Sequence, residues 1–297
     1  MTRAQFVHEI SYKSTADNSM QPAMFYHPDA AGSIPLIIAL HTWSGDFRQN
    51  DHSDIAKWCA DNGWAYIHPD FRGPNRRPEA TGSDLVIADI ASAVEYAVEA
   101  ADVDPNAVYL VGTSGGGYAA LLMAGRRPEL WAGVSAWVPI SDLSAWYAHC
   151  RTHGLIYQHD IAVSCGGAPG DSREIDAAYR ARSPLTWLEN AKGVRLHINA
   201  GIVDGHTGSV PVSQSLNAFN AVANEVDRIS SEDIHYMTER ADVPTRLRTS
   251  VIDPAYEQKK PLFRRSSGMA TITIFDGGHE LIHAAAIDWI VSIHQKR

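Results

Sequence analysis

Gly112-Thr113-Ser114-Gly115-Gly116 sets a serine two residues from a glycine on either side, directly after an apolar run and before a helix-like one. A hydroxyl on so tight a strand-to-helix turn sits in strained backbone geometry, and the glycines keep bulk away from it. The helix that follows aims free N–H groups and partial positive charge at the serine, which favours an oxyanion forming there. The competing meaning is a glycine-rich turn that merely packs or holds phosphate. Against the phosphate option, the stretch lacks the lysine of a P-loop and the spacing of a dinucleotide fingerprint. Ser114 is the candidate nucleophile.

A serine hydroxyl is a weak nucleophile at neutral pH; it needs a base, and the base needs an orienting carboxylate. After a turn of this kind the partners follow in the order acid, then histidine, each on the loop after a strand. Asp204, in Gly201-Ile202-Val203-Asp204-Gly205, and His279, in Asp276-Gly277-Gly278-His279-Glu280, satisfy that order. The rivals fit less well. His283 falls one turn into the last helix, His294 is near the C-terminus, and His206 adjoins the acid. His197 lies on the polar phase of a strand, where a surface histidine is expected. Asp276 and Glu280 flank His279 too closely to reach its ring from a separate loop.

An oxyanion needs two donors, and the second usually comes from the loop after an earlier strand. Here that loop reads His41-Thr42-Trp43-Ser44-Gly45-Asp46, so the backbone N–H of Trp43 would pair with that of Gly115. Losing one such donor costs on the order of 3 kcal/mol of transition-state stabilisation. The competing reading has the Trp43 indole only plug the loop against the core, since the chemistry needs the amide alone.

The elements that must position these residues alternate strand-like runs with helix-period stretches, the mark of a largely parallel sheet flanked by helices. Strands are expected at 34–40, 64–68, 107–111, 133–138, 194–198 and 271–275, and residues 3–29 read as one or two strands with a turn. Ile87, Ile90, Ala91, Val94 and Val98 fall on one helical stripe. A second helix begins at Pro211, suited to a first turn, with Val212, Leu216 and Phe219 on one face. The aromatic and glycine-rich stretch 141–186 reads as a lid insertion, and the charged stretch 227–268 as an irregular insertion before the last strand. No linker or repeat divides the 297 residues, so one α/β domain is expected.

A formal charge of -9 argues against a nucleic-acid partner. No run approaches the roughly 20 apolar residues of a membrane span. The N-terminus lacks the apolar core of a signal peptide, so the chain as given reads as cytoplasmic, with an exported form trimmed of its leader as the alternative. Cys59, Cys150 and Cys165 fit neither a disulfide framework nor a zinc site; Cys150 and Cys165 would pair only after export. No metal or organic cofactor is implied, and a homo-oligomer is left open.

The order of these pieces resembles the catalytic domain of prolyl-oligopeptidase-like hydrolases, of the α/β-hydrolase fold and related to dienelactone hydrolases and acetyl esterases. The resemblance is carried by Asp70-Phe71-Arg72-Gly73, Gly112-Thr113-Ser114-Gly115-Gly116-Gly117-Tyr118, Tyr179 with Ser183-Pro184-Leu185, Gly201-Ile202-Val203-Asp204, Val210-Pro211 and Gly278-His279. It runs from about residue 34 to 295. Two departures stand out: the family's peptidases carry a β-propeller for which this chain has no room, and the expected His-Gly pair is His41-Thr42.

The resemblance implies acyl transfer through a serine-bound intermediate, and single-domain relatives of this plan look like esterases, among them enzymes removing acetyl or feruloyl groups from polysaccharides. The expected substrate is a small-molecule or oligosaccharide ester. A peptidase acting on short peptides and a catalytically silent binding protein are the alternatives. Trp146, Tyr147, Asn75 and Tyr118 are the candidate substrate contacts, although aromatic residues within or beside such a lid (Trp137, His149, Tyr157 and Trp187 among them) are as often packing. Arg72, Asn75, Arg76 and Arg77 lie on the loop after the second strand, at the edge where ligands bind, and could meet a polar or anionic substrate; Arg72 is expected instead to be a structural ion-pair partner.

Overall fold

The computed structural model describes residues 7–29 and 32–296. Nine strands form one sheet: β1 (His8–Lys13), β2 (Met20–Tyr26), β3 (Ile34–Leu40), β4 (Ala65–Pro69), β5 (Val103–Thr113), β6 (Gly133–Trp137), β7 (Leu196–Gly201), β8 (Pro261–Ser267) and β9 (Ala270–Phe275). Their order is β1-β2-β4-β3-β5-β6-β7-β9-β8, parallel from β4 to β9 and antiparallel at both edges. The fold is α/β, mostly parallel, as expected; part of the predicted N-terminal strand region, residues 3–6, lies outside the described residues.

Side chains on a strand alternate between faces, and the core divides accordingly. Leu36, Ile38 and Leu40 join Val108 and Leu110 on one face, against α2 (Asp84–Ala101), α3 (Gly115–Arg126) and α7 (Val212–Val222). Ile37 and Ala39 join Tyr109 and Val111 on the other, against α1 (Ser53–Asn62) and α9 (His283–His294). Both faces are covered, which is why the central strands read as unbroken apolar runs. The predicted stripe on α2 is buried at Ile87, Ile90, Ala91 and Val94, and Ser83 caps that helix through Val86 N–H. Pro211 sits at the cap of α7, one position earlier than expected.

The stretch 141–186 holds α4 (Leu143–Thr152), α5 (Tyr157–Cys165) and α6 (Arg173–Arg182), between β6 and β7. Two expectations need correction. The stretch 227–268 holds α8 (Ser231–Arg240) and the edge strand β8. β8 opens on a proline, and half-buried Arg264 and Arg265 interrupt its pattern, so it carries no continuous apolar signal. His197 is buried, 4% exposed, rather than at the surface. It stacks on Trp289 and bonds Ser135 and Tyr256, because β7 is covered on both faces. Cys59, Cys150 and Cys165 are all buried free thiols. Among the described residues no helix is long and apolar enough to cross a membrane.

Candidate active site

Ser114 ends β5 and opens α3 with φ 58° and ψ −118°, a conformation that side chains other than glycine adopt at a cost of about 1–3 kcal/mol. Its amide donates to the Trp137 carbonyl at 2.9 Å and its carbonyl accepts Tyr118 N–H at 2.8 Å, so both neighbouring elements hold the strained turn. α3 is buried from Gly115 to Gly125 and runs along the middle of the sheet. The hydroxyl therefore stands at the carboxyl edge of the parallel strands, where ligands of open α/β sheets bind.

Asp204 follows β7 and His279 follows β9, neighbouring strands in the sheet. The His279 Nδ1–H donates to Asp204 Oδ2 at 2.7 Å, and His279 Nε2 lies 2.8 Å from Ser114 Oγ. A carboxylate only accepts, so its contact fixes the proton on Nδ1 and leaves the Nε2 lone pair for the serine hydroxyl. Asp204 is 2% exposed and its Oδ1 accepts the amides of Gly205 (2.9 Å) and Val210 (3.2 Å). Buried carboxylates need such partners. The two loops are tied together by Val203 N–H to the Gly277 carbonyl at 3.1 Å. The rival imidazoles are engaged elsewhere: His206 on the Thr238 carbonyl, His283 on the Asp51 carbonyl and His294 with Tyr109.

Trp43 follows β3, which pairs with β5 in the sheet. A methyl group on Gly115 would stand 2.3 Å from the Trp43 nitrogen, so the loop after β3 reaches the serine turn only because residue 115 is glycine. The Gly45 amide holds the Thr42 carbonyl at 3.2 Å, which turns the N–H of the same peptide unit, that of Trp43, the other way. Neither the Trp43 nor the Gly115 amide has an acceptor among the described residues. Two neighbouring unpaired amides beside a serine can hold an oxyanion.

The candidate substrate contacts separate. Trp146 is 1% exposed, meets Trp43 edge-on at 4.7 Å and spends its indole N–H on the Ser209 carbonyl. Tyr118 is fully buried, its hydroxyl donating to the Arg182 carbonyl at 2.7 Å. Both are packing residues, contrary to expectation: a ring that covers the core on a helix or lid has the same sequence signature as one that covers a ligand. Tyr147 is half-buried against Tyr179. Asn75 is buried beside Trp43; its backbone N–H donates to the Trp43 carbonyl and its Oδ1 accepts Thr81 N–H, while Nδ2 has no partner among the described residues. Arg72 is an ion-pair residue, as expected, held by Asp89 and Asp17. Sequence reasoning missed Val210 and Gly205 as donors to Asp204, which no side-chain type could have announced, since both act through the backbone.

The prolyl oligopeptidase family model matches residues 50–239, which include Ser114 and Asp204 and stop short of His279. Acylamino-acid-releasing enzyme 2 of Oryza sativa subsp. japonica is 23% identical over 239 residues, 74% of this chain and 30% of that protein. Feruloyl esterase B of Thermothelomyces thermophilus (strain ATCC 42464 / BCRC 31852 / DSM 1799) is 28% identical over 127 residues, 39% of this chain and 43% of that protein. Among solved structures, an acylaminoacyl peptidase in complex with Z-Gly-Gly-Phe-chloromethyl ketone superposes with a TM-score of 0.62 at 16% identity, over 98% of this chain and 41% of that one. The chain thus spans less than half the length of each. A catalytic-domain fold shared along nearly its whole length and a family match over most of it agree: the chain belongs to the prolyl oligopeptidase family.

Proposed function

We propose that the protein is a serine hydrolase that cleaves carboxylic esters through an acyl-enzyme. The support is the unbroken hydrogen-bond chain from Ser114 Oγ through His279 to Asp204, 2.8 and 2.7 Å long. His279 Nε2 takes the hydroxyl proton as Ser114 Oγ attacks the carbonyl carbon, and the amides of Trp43 and Gly115 receive the oxyanion. The alcohol leaves with the proton from His279; water, activated in the same way, then releases the acid and restores the serine. The alcohol or acyl group proposed is that of a small-molecule or oligosaccharide ester, such as an acetyl or feruloyl ester. The partial similarity to a feruloyl esterase and the half-buried Tyr157 ring near Trp43 favour that class. Asn75 Nδ2 is the polar donor we assign to the substrate.

A second reading, hydrolysis of short or N-acylated peptides, is favoured by the similarity to an acylamino-acid-releasing enzyme. One comparison separates the two: kcat/KM for p-nitrophenyl acetate and feruloyl esters against an N-acetyl-aminoacyl arylamide. An esterase leaves the arylamide nearly untouched, and a peptidase does not. Ser114→Ala should abolish turnover of p-nitrophenyl acetate and labelling by a fluorophosphonate; wild-type turnover in that variant would overturn the mechanism.

A further inference from the structure

Trp43 is gripped at both ends by one lid helix. Its indole N–H donates to Asp160 Oδ2 on α5 at 3.2 Å. Its carbonyl accepts the Asn75 amide at 2.8 Å, and Asn75 Oδ1 accepts Thr81 N–H at 3.0 Å. Thr81 Oγ1 lies 2.8 Å from Ser164 Oγ, which donates to the Asp160 carbonyl at 2.8 Å. Asp160 and Ser164 are one turn apart on α5, so the path closes on itself. The ring is enclosed by Trp146, Tyr118 and Tyr157 and is 2% exposed. Of the polar groups of Trp43, this leaves the backbone N–H without a partner among the described residues, beside Gly115.

We propose that Asp160 is a positioning residue for the oxyanion hole: through the Trp43 indole it sets where the Trp43 amide meets the developing negative charge. The proposal rests on the serine-hydrolase mechanism given above and adds a residue from the lid to it. Its action is mechanical. A carboxylate near a forming oxyanion opposes it electrostatically, so any benefit Asp160 gives comes from the hydrogen bond it accepts and not from its charge. The bond ties a buried ring with only two rotatable bonds to a half-buried acceptor, which makes it a restraint on where the ring sits. Catalytic donors tolerate little misplacement: an error of about 1 Å costs on the order of a hundredfold in rate. Asp160 lies 117 positions from Trp43 in the chain, so only the docking of the lid brings the pair together.

The experiment measures kcat and KM with p-nitrophenyl acetate for four variants. Asp160→Ala should lower kcat about tenfold or more with KM within about twofold, since the lost interaction acts in the transition state. Trp43→Phe, which keeps the amide and most of the ring, should lose a similar factor, and the double variant should be no slower than the slower single one. Asp160→Asn keeps an acceptor and discards the charge, and should restore kcat to within about threefold of wild type. A wild-type kcat in Asp160→Ala, a rise in KM alone, multiplication of the two losses in the double variant, or an Asn variant as slow as Ala would each overturn the proposal. Ser114→Ala run alongside keeps the two readings apart: inactive Ser114→Ala with fully active Asp160→Ala sinks only the role of Asp160, whereas active Ser114→Ala sinks the mechanism itself.

Discussion

A methyl group on Gly208 would stand 2.3 Å from Oδ1 of Asp204, and 2.7 Å from Cβ of His279. The loop after β7 therefore packs against the acid and the base at once, and the space between them has no room for a side chain. Gly208→Ala must push one of the two aside. Because a shift of about 1 Å in such a pair costs on the order of a hundredfold, we expect kcat to fall ten- to a hundredfold while the fold survives. Steady-state kinetics with near-ultraviolet circular dichroism checks this; a variant with wild-type kcat would show that the loop yields without moving the dyad.

Asp204→Asn tests the tautomer. The carboxylate holds the proton on His279 Nδ1, and an amide in its place can present N–H to that nitrogen and move the proton to Nε2, facing the serine. The expected loss in kcat is about 10⁴-fold with little change in melting temperature. A loss below tenfold would mean that His279 keeps its orientation without Asp204.

Arg72 and Asp89 form a buried pair, Nε to Oδ2 at 2.6 Å, with Ser14 and Asp17 completing the cluster. It ties the turn after β1 and the loop after β4 to α2. Asp89→Ala strands the guanidinium in a poorly hydrated site, at a cost of roughly 3 kcal/mol. Urea unfolding should report that loss, while kcat of the folded protein stays within about twofold at low temperature. An unchanged midpoint would mean that Asp17 alone satisfies Arg72.

Burial keeps two histidines neutral: it presses His197 down to about 3 and His52 to about 4. Both titrate near 6.5 when unfolded, so below that pH the unfolded chain binds protons that the native protein refuses. Their contribution is intact above about pH 6.5 and is lost as the pH falls toward 4, by roughly 1 kcal/mol per pH unit for each histidine. Urea midpoints measured from pH 7.5 to 4.5 should therefore fall, and His197→Phe, which keeps a ring against Trp289, should flatten the decline while lowering the midpoint at pH 7.5. An equal slope in both proteins would show that His197 takes up a proton while folded.

The central strands and the serine turn were legible in the sequence because their signals are local. An apolar run such as 34–40 states its own burial, and the glycines around Ser114 state a close approach. The order of acid and histidine on later loops is likewise a property of the chain. Features set by distant partners were less legible: the edge strand β8 gains its register from β9 and carries half-buried arginines, and His197 on the interior strand β7 is covered by a tryptophan from α9, 92 positions onward. The rings on the lid and on α3 misled for a related reason, since Trp146 and Tyr118 spend their polar groups on carbonyls that sequence cannot bring near.

By itself the sequence determined that a serine, a carboxylate and an imidazole would each end up on a loop beyond a sheet strand, because residue type, glycine spacing and hydrophobic period act over short distances. What tertiary structure alone decided is whether these loops meet. Parallel order sets β7 beside β9 and β3 beside β5, which brings Ser114, Asp204 and His279 within hydrogen-bond reach and lays Trp43 against Gly115. Hydrogen bonds act over about 3 Å, and contacts between residues tens of positions apart exist only once the sheet has fixed their separation.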